Sequence, residues 1–237
     1  MLLSQFGITA IYHYAPLHYL PFIARRGALL SKAALRREGF ADSHLRSTSS
    51  AQDAQRGFSN FVHLTLDAHP PILKAKLARG FPHFEVSVPA THFSKVEYLL
   101  CRFNTAKTRY FRGARREPPE SDRNGRYYEE MRLPVAKTAA QQEALLRLNY
   151  GQQMIEVLVR DQLPLGQGTS FRFFHRDDVA SAADVLRVLG MTTYALEMDE
   201  QLEYVPSSKY RQAVTKALAR ATADPAWLGD GLEFDRV

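Results

Sequence analysis

The stretch YGQQMIEVLVRDQLPL, residues 150–165, contains the clearest buried-strand pattern of the chain. A single acid, Glu156, stands inside its apolar run. Successive strand side chains point to opposite faces, so Glu156 faces away from Ile155 and Val157. The simplest interpretation is an edge strand with Glu156 in water. The alternative is a carboxylate held by a rigid strand in a cleft, where it stabilises a positive charge that develops during a reaction.

The elements around this strand are mixed in order. Strands are predicted at 8–14, 61–66, 83–89, 96–101, 153–159, 171–174 and 192–198. Helices are predicted at 16–26, 70–80, 141–150, 181–189 and 207–222. Strands and helices do not alternate strictly, which favours an α+β domain over a doubly wound parallel sheet. The chain has neither a Gly-rich dinucleotide fingerprint nor a phosphate loop.

Composition excludes several classes of protein. With 237 residues and 45% hydrophobic content, the chain has material for one sizeable core. Cys101 is the only cysteine, so disulfides and a Cys-based zinc site are excluded. The eight histidines show no metal-ligand spacing, and we predict no metal. No apolar run suits a membrane span and the N-terminus does not resemble a secretory signal, so a cytoplasmic location is expected.

The charge points to a polyanionic partner. The net charge is +6 and the pI is near 9.5. The run CRFNTAKTRYFRGARRE, residues 101–117, has six Lys or Arg side chains with aromatic residues between them and no acid before Glu117. Basic side chains contact phosphates, and aromatic faces stack on unpaired bases. A solvated loop whose aromatic residues belong to the core explains the run equally well.

His13 is a second candidate for chemistry. It stands near the end of the first strand, between Tyr12 and Tyr14. A lone histidine among apolar residues is more often a core residue with satisfied hydrogen bonds than a catalyst. Position alone leaves both roles open.

Several blocks, in the same order, resemble the DarT-type ADP-ribosyltransferases, which are toxins that modify nucleic acid. IYHYAPLHYLPFIARRGALLS, residues 11–31, is similar to the family's opening strand ending in Tyr-His, short helix and Gly-x-Leu. QMIEVLV, residues 153–159, resembles the late strand whose Glu is catalytic. NFVHLTLDAHPPILKAKL, EYLLCRFNTAKTRYF and RFFHRDDVASAADVLRVLG are similar to the remaining blocks. The family's Thr after Tyr-His and its central His are replaced here by Tyr14-Ala15 and Thr108-Arg109.

The resemblance implies an ADP-ribosyltransferase-like fold, with a central split, antiparallel or mixed β-sheet flanked by short helices. It implies one domain over 1–237, with 191–237 as a C-terminal strand-helix extension. The implied reaction transfers ADP-ribose from NAD⁺, as co-substrate, to a base in single-stranded DNA. A toxin or phage-defence effector of this kind implies an antitoxin protein as a partner.

The resemblance also implies roles for residues. Glu156 and Arg46 are expected to be catalytic, with Arg56 as the other candidate for the arginine. The residues expected to bind NAD⁺ are His13, Tyr14, Gly27 and Leu29. The residues expected to bind nucleic acid are Arg102, Lys107, Arg109, Tyr110 and Arg112. Two alternatives stay open: the same chemistry on RNA or on a protein side chain, and a nucleic-acid-binding module without catalysis.

Overall fold

Ten strands and seven α-helices account for most of the residues that the computed structural model describes, which are 2–40, 53–54, 57–102, 135–147, 155–191, 193–224 and 226–227. The strands are β1 (Ala10–Pro16), β2 (Ala28–Leu30), β3 (Phe61–Thr65), β4 (His83–Pro89), β5 (Tyr98–Cys101), β6 (Val135–Ala136), β7 (Glu156–Arg160), β8 (Gln162–Pro164), β9 (Ser170–Phe173) and β10 (Ala195–Met198). The helices are α1 (Leu2–Gln5), α2 (Leu20–Arg26), α3 (Lys32–Arg37), α4 (Pro71–Ala78), α5 (Ala139–Arg147), α6 (Arg176–Val188) and α7 (Ser208–Ala223). Short 3₁₀ helices cover Leu17–Tyr19, Ala90–Ser94 and Glu200–Leu202.

Eight strands form one sheet in the order β10-β9-β4-β1-β3-β7-β5-β6. β9 and β10 run parallel, and the other neighbours are antiparallel. The predicted mixed α+β architecture is therefore confirmed. β2 and β8 form a separate two-stranded sheet.

The sheet is weakly joined at its centre. β1 pairs with β4 along its whole length, from Ala10 opposite Pro89 to Pro16 opposite His83. On its other edge, β1 pairs with β3 at one position, Tyr12 opposite Thr65, although both strands are described along their whole length. The ladder between β1 and β3 is therefore interrupted beyond Tyr12. This strand gap borders β1, which carries His13, and β3 separates it from β7, which carries Glu156.

The core explains why short helices flank this sheet. The inward side chains of β1, β3, β4, β7 and β9 share one apolar cluster with side chains from α2, α5, α6 and α7. Val157 and Val159 of β7 belong to this cluster, whereas Leu158 packs in a second cluster with Phe61 and Cys101. Because β7 is covered on both faces, its sequence shows a nearly continuous apolar run instead of an alternating one.

The C-terminal segment packs against the rest of the fold at a glycine. Gly80 has φ +73°, and a Cβ atom there would lie 2.6 Å from the backbone nitrogen of Ser207. That nitrogen donates a hydrogen bond to the carbonyl oxygen of Gly80, 2.9 Å away. α7 then begins at Ser208 and contributes Val214 and Leu218 to the main core cluster. Since 191–237 contributes to this core, we retain the single-domain assignment as a prediction.

Some boundaries differ from those predicted. The helix expected at 181–189 begins at Arg176, because the ring of His175 caps it by accepting the backbone N–H of Asp177. The strand expected at 192–198 begins only at Ala195, and the helix expected at 141–150 spans Ala139–Arg147, with 148–150 outside the described residues. The short elements α1, α3, β2 and β8 were not predicted, because three to six residues carry too little periodicity to be recognised.

Candidate active site

Glu156 is the first residue of β7, which lies inside the sheet between β3 and β5. Its Cα partners are Thr65 and Cys101, and its side chain is only 13% exposed. The interpretation of Glu156 as a water-facing residue on an edge strand is therefore wrong. The alternation pattern could not distinguish the two cases, because strand order depends on pairing between distant segments.

Glu156 lies beside a histidine that we did not predict as a site residue. His63 lies on β3 two residues before Thr65, so both side chains project from the same face. Its Nδ1 is 3.5 Å from Oε2 of Glu156, and its Nε2 is 3.1 Å from the carbonyl oxygen of Phe58. Alternation within FVHLTL reveals the shared face of His63 and Thr65, but only the β3–β7 pairing places Glu156 beside them.

Electrostatics favour a charged ring at His63. Burial pulls the pKa of His63 down, but the hydrogen bond and charge of Glu156, aided by the charge of Asp53, leave this pKa above its ordinary value. Asp53 is buried and forms an ion pair with Lys32 at 3.1 Å. Asp53 lies in the sequence between the two candidate arginines, Arg46 and Arg56, and its charge acts on His63.

His13 contacts the same histidine through the backbone. Its Nδ1 lies 2.9 Å from the carbonyl oxygen of His63, on the strand across the gap in the sheet. Burial lowers the pKa of His13, and the nearby charge of His63 adds to that effect against the hydrogen bond to the carbonyl. A carbonyl only accepts, so Nδ1 carries the proton and the Nε2 of the neutral ring is an acceptor.

The register of the sheet places the side chains of His13 and Glu156 on opposite faces, which the sequence did not indicate. Tyr12 is level with Thr65, which is level with Glu156, so alternation places Tyr12 and Tyr14 on the face of Glu156. The Cβ of His13 points to the opposite face, and its ring reaches the His63 carbonyl at the strand gap. His63 thus links the two predicted residues, and their convergence on one ribose stays a prediction.

Tyr14 shares the environment of Glu156. Burial raises the pKa of the Tyr14 hydroxyl, and the charge of Glu156 raises it further. The hydroxyl therefore stays protonated, and it can donate a hydrogen bond at physiological pH.

Gly27 and Leu29 have structural roles in the fold. Gly27 ends α2 in the left-handed conformation at φ +57°, which favours glycine. Its N–H donates to the carbonyl of Ala24, and its own carbonyl accepts from the N–H of Leu165. Leu29 is buried in the core cluster opposite Leu163, so its side chain is fully engaged by packing. The binding of NAD⁺ by either residue stays a prediction.

Arg102 follows directly after Cys101, the β5 partner of Glu156. Val135, at the start of β6, is also a Cα partner of Cys101. Arg102 and Val135, which flank the segment 103–134, therefore both lie close to the level of Glu156 in the sheet. The other predicted residues lie outside the described residues: Arg46 and its alternative Arg56, and Lys107, Arg109, Tyr110 and Arg112.

The described residues form neither a metal-binding cluster nor a membrane-spanning helix. Among them, no group of three or more His, Cys, Asp or Glu side chains is arranged to hold a metal ion. No helix in the described ranges combines the length and apolar character that a membrane span needs.

Comparison with solved structures shows where this fold recurs. The structure of DarT from Thermus sp. 2.9 in complex with ADP-ribosylated single-stranded DNA matches with a TM-score of 0.57 at 12% identity, over 84% of this chain and 97% of that one. The complex of the same DarT with NAD⁺ matches with a TM-score of 0.51 at 12% identity, over 83% and 98%. DarTG from Thermosipho africanus in complex with ADP-ribose matches with a TM-score of 0.52 at 13% identity, over 84% of this chain and 52% of that one.

No protein-family model matches this sequence, and neither does any curated protein. At identities this low the structural likeness shows the fold, which is that of the DarT structures.

Proposed function

We propose that this protein is an NAD⁺-dependent ADP-ribosyltransferase that modifies a base in single-stranded DNA, with Glu156 as its catalytic carboxylate. The observation that carries the proposal is the position of Glu156: a largely buried acid on the inner strand β7, paired with Thr65 of β3 at the level where Thr65 also pairs with Tyr12 of β1. The likeness to DarT structures containing NAD⁺ and ADP-ribosylated single-stranded DNA supports this choice of chemistry.

The reaction requires a fixed negative charge. The bond between the ribose C1′ and the nicotinamide nitrogen breaks, and nicotinamide leaves with the electron pair. Positive charge then develops on the sugar, as in glycoside cleavage. A carboxylate held on a rigid strand stabilises that charge without first reorganising. A base nitrogen forms the new bond to C1′ and loses a proton, and we assign Glu156 as its acceptor.

Two side chains of β1 are suited to hold the ribose. His13 presents an acceptor at Nε2 because its Nδ1 proton is held by the His63 carbonyl. A ribose hydroxyl is a matching donor. Tyr14 offers a protonated hydroxyl under the influence of Glu156. We propose that these two side chains position the sugar, and that Arg46 contacts the phosphates of NAD⁺ as a permanently charged donor.

The choice of nucleic acid rests on charge and connectivity. The basic and aromatic run at 101–117 follows β5 directly, and β5 is paired with β7 at Glu156. The run therefore begins at the β5 position that pairs with Glu156, and we propose that it binds the DNA strand. A single strand is the less costly substrate, because its bases need not be unpaired from a duplex.

The test is release of nicotinamide and transfer of labelled ADP-ribose from NAD⁺ to oligonucleotides. We expect wild-type protein to label single-stranded DNA, and Glu156→Gln to lose about 10²-fold or more in rate, the scale for removing one charge stabiliser. Glu143→Gln is the matched control, because Glu143 is an exposed acid paired with Arg147 on α5. Both variants must remain folded by circular dichroism.

Other outcomes identify the alternatives. Labelling of RNA or of protein instead of DNA keeps the chemistry and changes the acceptor. Strand binding without any release of nicotinamide, unaffected by Glu156→Gln, identifies a binding module and overturns the proposed enzyme.

We further propose a toxin role with a protective partner protein. Expression of the wild-type chain should arrest bacterial growth, whereas Glu156→Gln should not, because the damage depends on transfer to DNA. Equal growth with both forms contradicts the toxin role while leaving the enzyme assay unaffected.

A further inference from the structure

The ring of His63 lies between two acceptors on different elements. Its Nε2 is 3.1 Å from the carbonyl oxygen of Phe58, in the segment before β3. Its Nδ1 is 3.5 Å from the Oε2 atom of Glu156 on the neighbouring strand β7. The side chain of His63 is 23% exposed and that of Glu156 is 13% exposed, so water screens this pair only partly.

These contacts fix which nitrogen can change its protonation. A carbonyl oxygen can only accept, so Nε2 donates to Phe58 and retains its proton. A neutral ring has one N–H, which would leave a lone pair on Nδ1 directed at the carboxylate oxygen. An attractive contact therefore needs a second proton on Nδ1, giving an imidazolium beside a carboxylate.

We propose that His63 is a positioning residue that, as an imidazolium, holds the Glu156 carboxylate in its reactive orientation and releases it when Nδ1 loses its proton. This inference rests on the proposed function. It adds a residue that does not touch the substrate but sets the pH range in which the carboxylate is correctly placed.

The surroundings of His63 support the charged form. Burial acts against it, but the hydrogen bond and charge of Glu156 raise the pKa of His63 above its ordinary value. The other charged group that raises this pKa is Asp53. The ring of His13 on β1, which contacts the backbone carbonyl of His63, is kept neutral by burial. Tyr14 also senses the charge of Glu156, and its own raised pKa keeps its hydroxyl uncharged.

A second histidine–carboxylate pair provides a matched control. His69 lies four residues after β3, and its Nε2 is 2.6 Å from Oδ2 of Asp199. The side chains are 23% and 10% exposed, close to the values for His63 and Glu156. His69 pairs with Asp199 instead of Glu156, so its loss tests the general effect of removing a half-buried histidine.

The first experiment measures the pH dependence of nicotinamide release by wild type, His63→Asn and His69→Asn. The amide nitrogen of Asn can donate from the position of Nδ1 but does not titrate. We expect wild-type kcat to decline at alkaline pH, His63→Asn to lose this decline, and His69→Asn to keep it. Below the pH of this decline, His63→Ala should lower kcat about tenfold with little change in KM, the scale seen when an orienting partner is removed; above it, the rates of wild type and His63→Ala should converge.

The second experiment measures the pair without catalysis. Nuclear magnetic resonance of the histidine rings gives the pKa of His63 in wild type and in Glu156→Gln. We expect this pKa to fall by about one pH unit or more when the charge of Glu156 is removed, the usual effect of losing an adjacent opposite charge. The ring signals of His69 serve as the reference and should have the same chemical shifts in both proteins.

The outcomes separate the two proposals. Wild-type protein that releases no nicotinamide overturns the proposed function and the role of His63 with it. If the wild type is active, two results overturn the role of His63 and leave the proposed function intact. One is that His63→Asn keeps the alkaline decline of kcat, and the other is that the pKa of His63 is the same in wild type and in Glu156→Gln. Should His63→Asn fail to fold, the ring titration decides.

Discussion

The Nδ1 atom of His13 donates a hydrogen bond to the backbone carbonyl of His63, 2.9 Å away, at the point where β1 and β3 separate. This contact satisfies a carbonyl at the edge of the gap and holds the ring of His13 in one orientation. Because the same nitrogen always donates, the opposite nitrogen is left as an acceptor. A structural hydrogen bond thereby determines the chemical character of a candidate binding residue.

The first prediction concerns the free nitrogen of His13. In His13→Asn, the side-chain amide can keep the bond to the His63 carbonyl but removes the acceptor at Nε2. We expect KM for NAD⁺ to rise about fivefold, as for loss of one hydrogen bond worth about 1 kcal/mol, with stability nearly unchanged. Steady-state kinetics and thermal unfolding provide the two measurements. An unchanged KM would remove His13 from the binding site.

The second prediction distinguishes the two candidate arginines. We expect Arg46→Ala to reduce labelling of DNA about 10²-fold, because a guanidinium that contacts phosphate is lost, and Arg56→Ala to retain activity. The same labelling assay measures both variants. Loss of activity in Arg56→Ala alone would reverse the assignment.

The third prediction concerns the basic run after β5. Changing Arg109, Arg112 and Arg115 to Glu should weaken binding of single-stranded DNA and flatten its salt dependence. If each arginine neutralises one phosphate, the slope of log K against log salt should fall by about 2. Fluorescence anisotropy at several salt concentrations gives this slope.

A control with the same change of charge tests whether position matters. Arg79, Arg187 and Lys216 are exposed on other parts of the structure. Changing these three to Glu should affect the slope much less. Similar slopes in the two triple variants would mean that net charge, not the run at 101–117, governs binding.

The fourth prediction concerns a buried acid on β4. Glu85 is fully buried; one oxygen pairs with Arg172 at 3.1 Å, and the other has no hydrogen-bond partner among the described residues. Burial raises the pKa of Glu85 from 4.5 to about 8, against the lowering effect of Arg172 and with further raising by nearby acids. Folded protein therefore keeps a proton on Glu85 at neutral pH.

This raised pKa gives stability a defined pH dependence. Between pH 4.5 and about 8, the folded chain retains the proton of Glu85 that the unfolded chain releases. The free energy of unfolding should thus fall with rising pH across this window, by on the order of 3 kcal/mol. Urea unfolding at pH 5 and pH 8 measures the difference. Glu85→Gln should lack this component, and an equal slope in wild type and variant would contradict the assignment.

Much of the secondary structure follows from local signals. The apolar run before Arg160, the two Pro residues at the start of α4 and Gly27 after α2 each identify an element from its own residues. The exact ends of several helices and strands could not be predicted from these local signals. The capping of α6 by His175 depends on a ring orientation that no periodicity reveals.

The sequence by itself was enough to identify Glu156 as a lone acid in a buried strand and His13 as an imidazole near the end of another, and to relate both to one family through the motifs around them. Only the tertiary structure showed that β7 is an inner strand, that the ladder between β1 and β3 is interrupted, and that His63 on β3 contacts both residues. The reason is physical: alternation along one strand determines which face a side chain occupies, whereas its neighbours depend on hydrogen-bonded register between segments that are far apart in the chain.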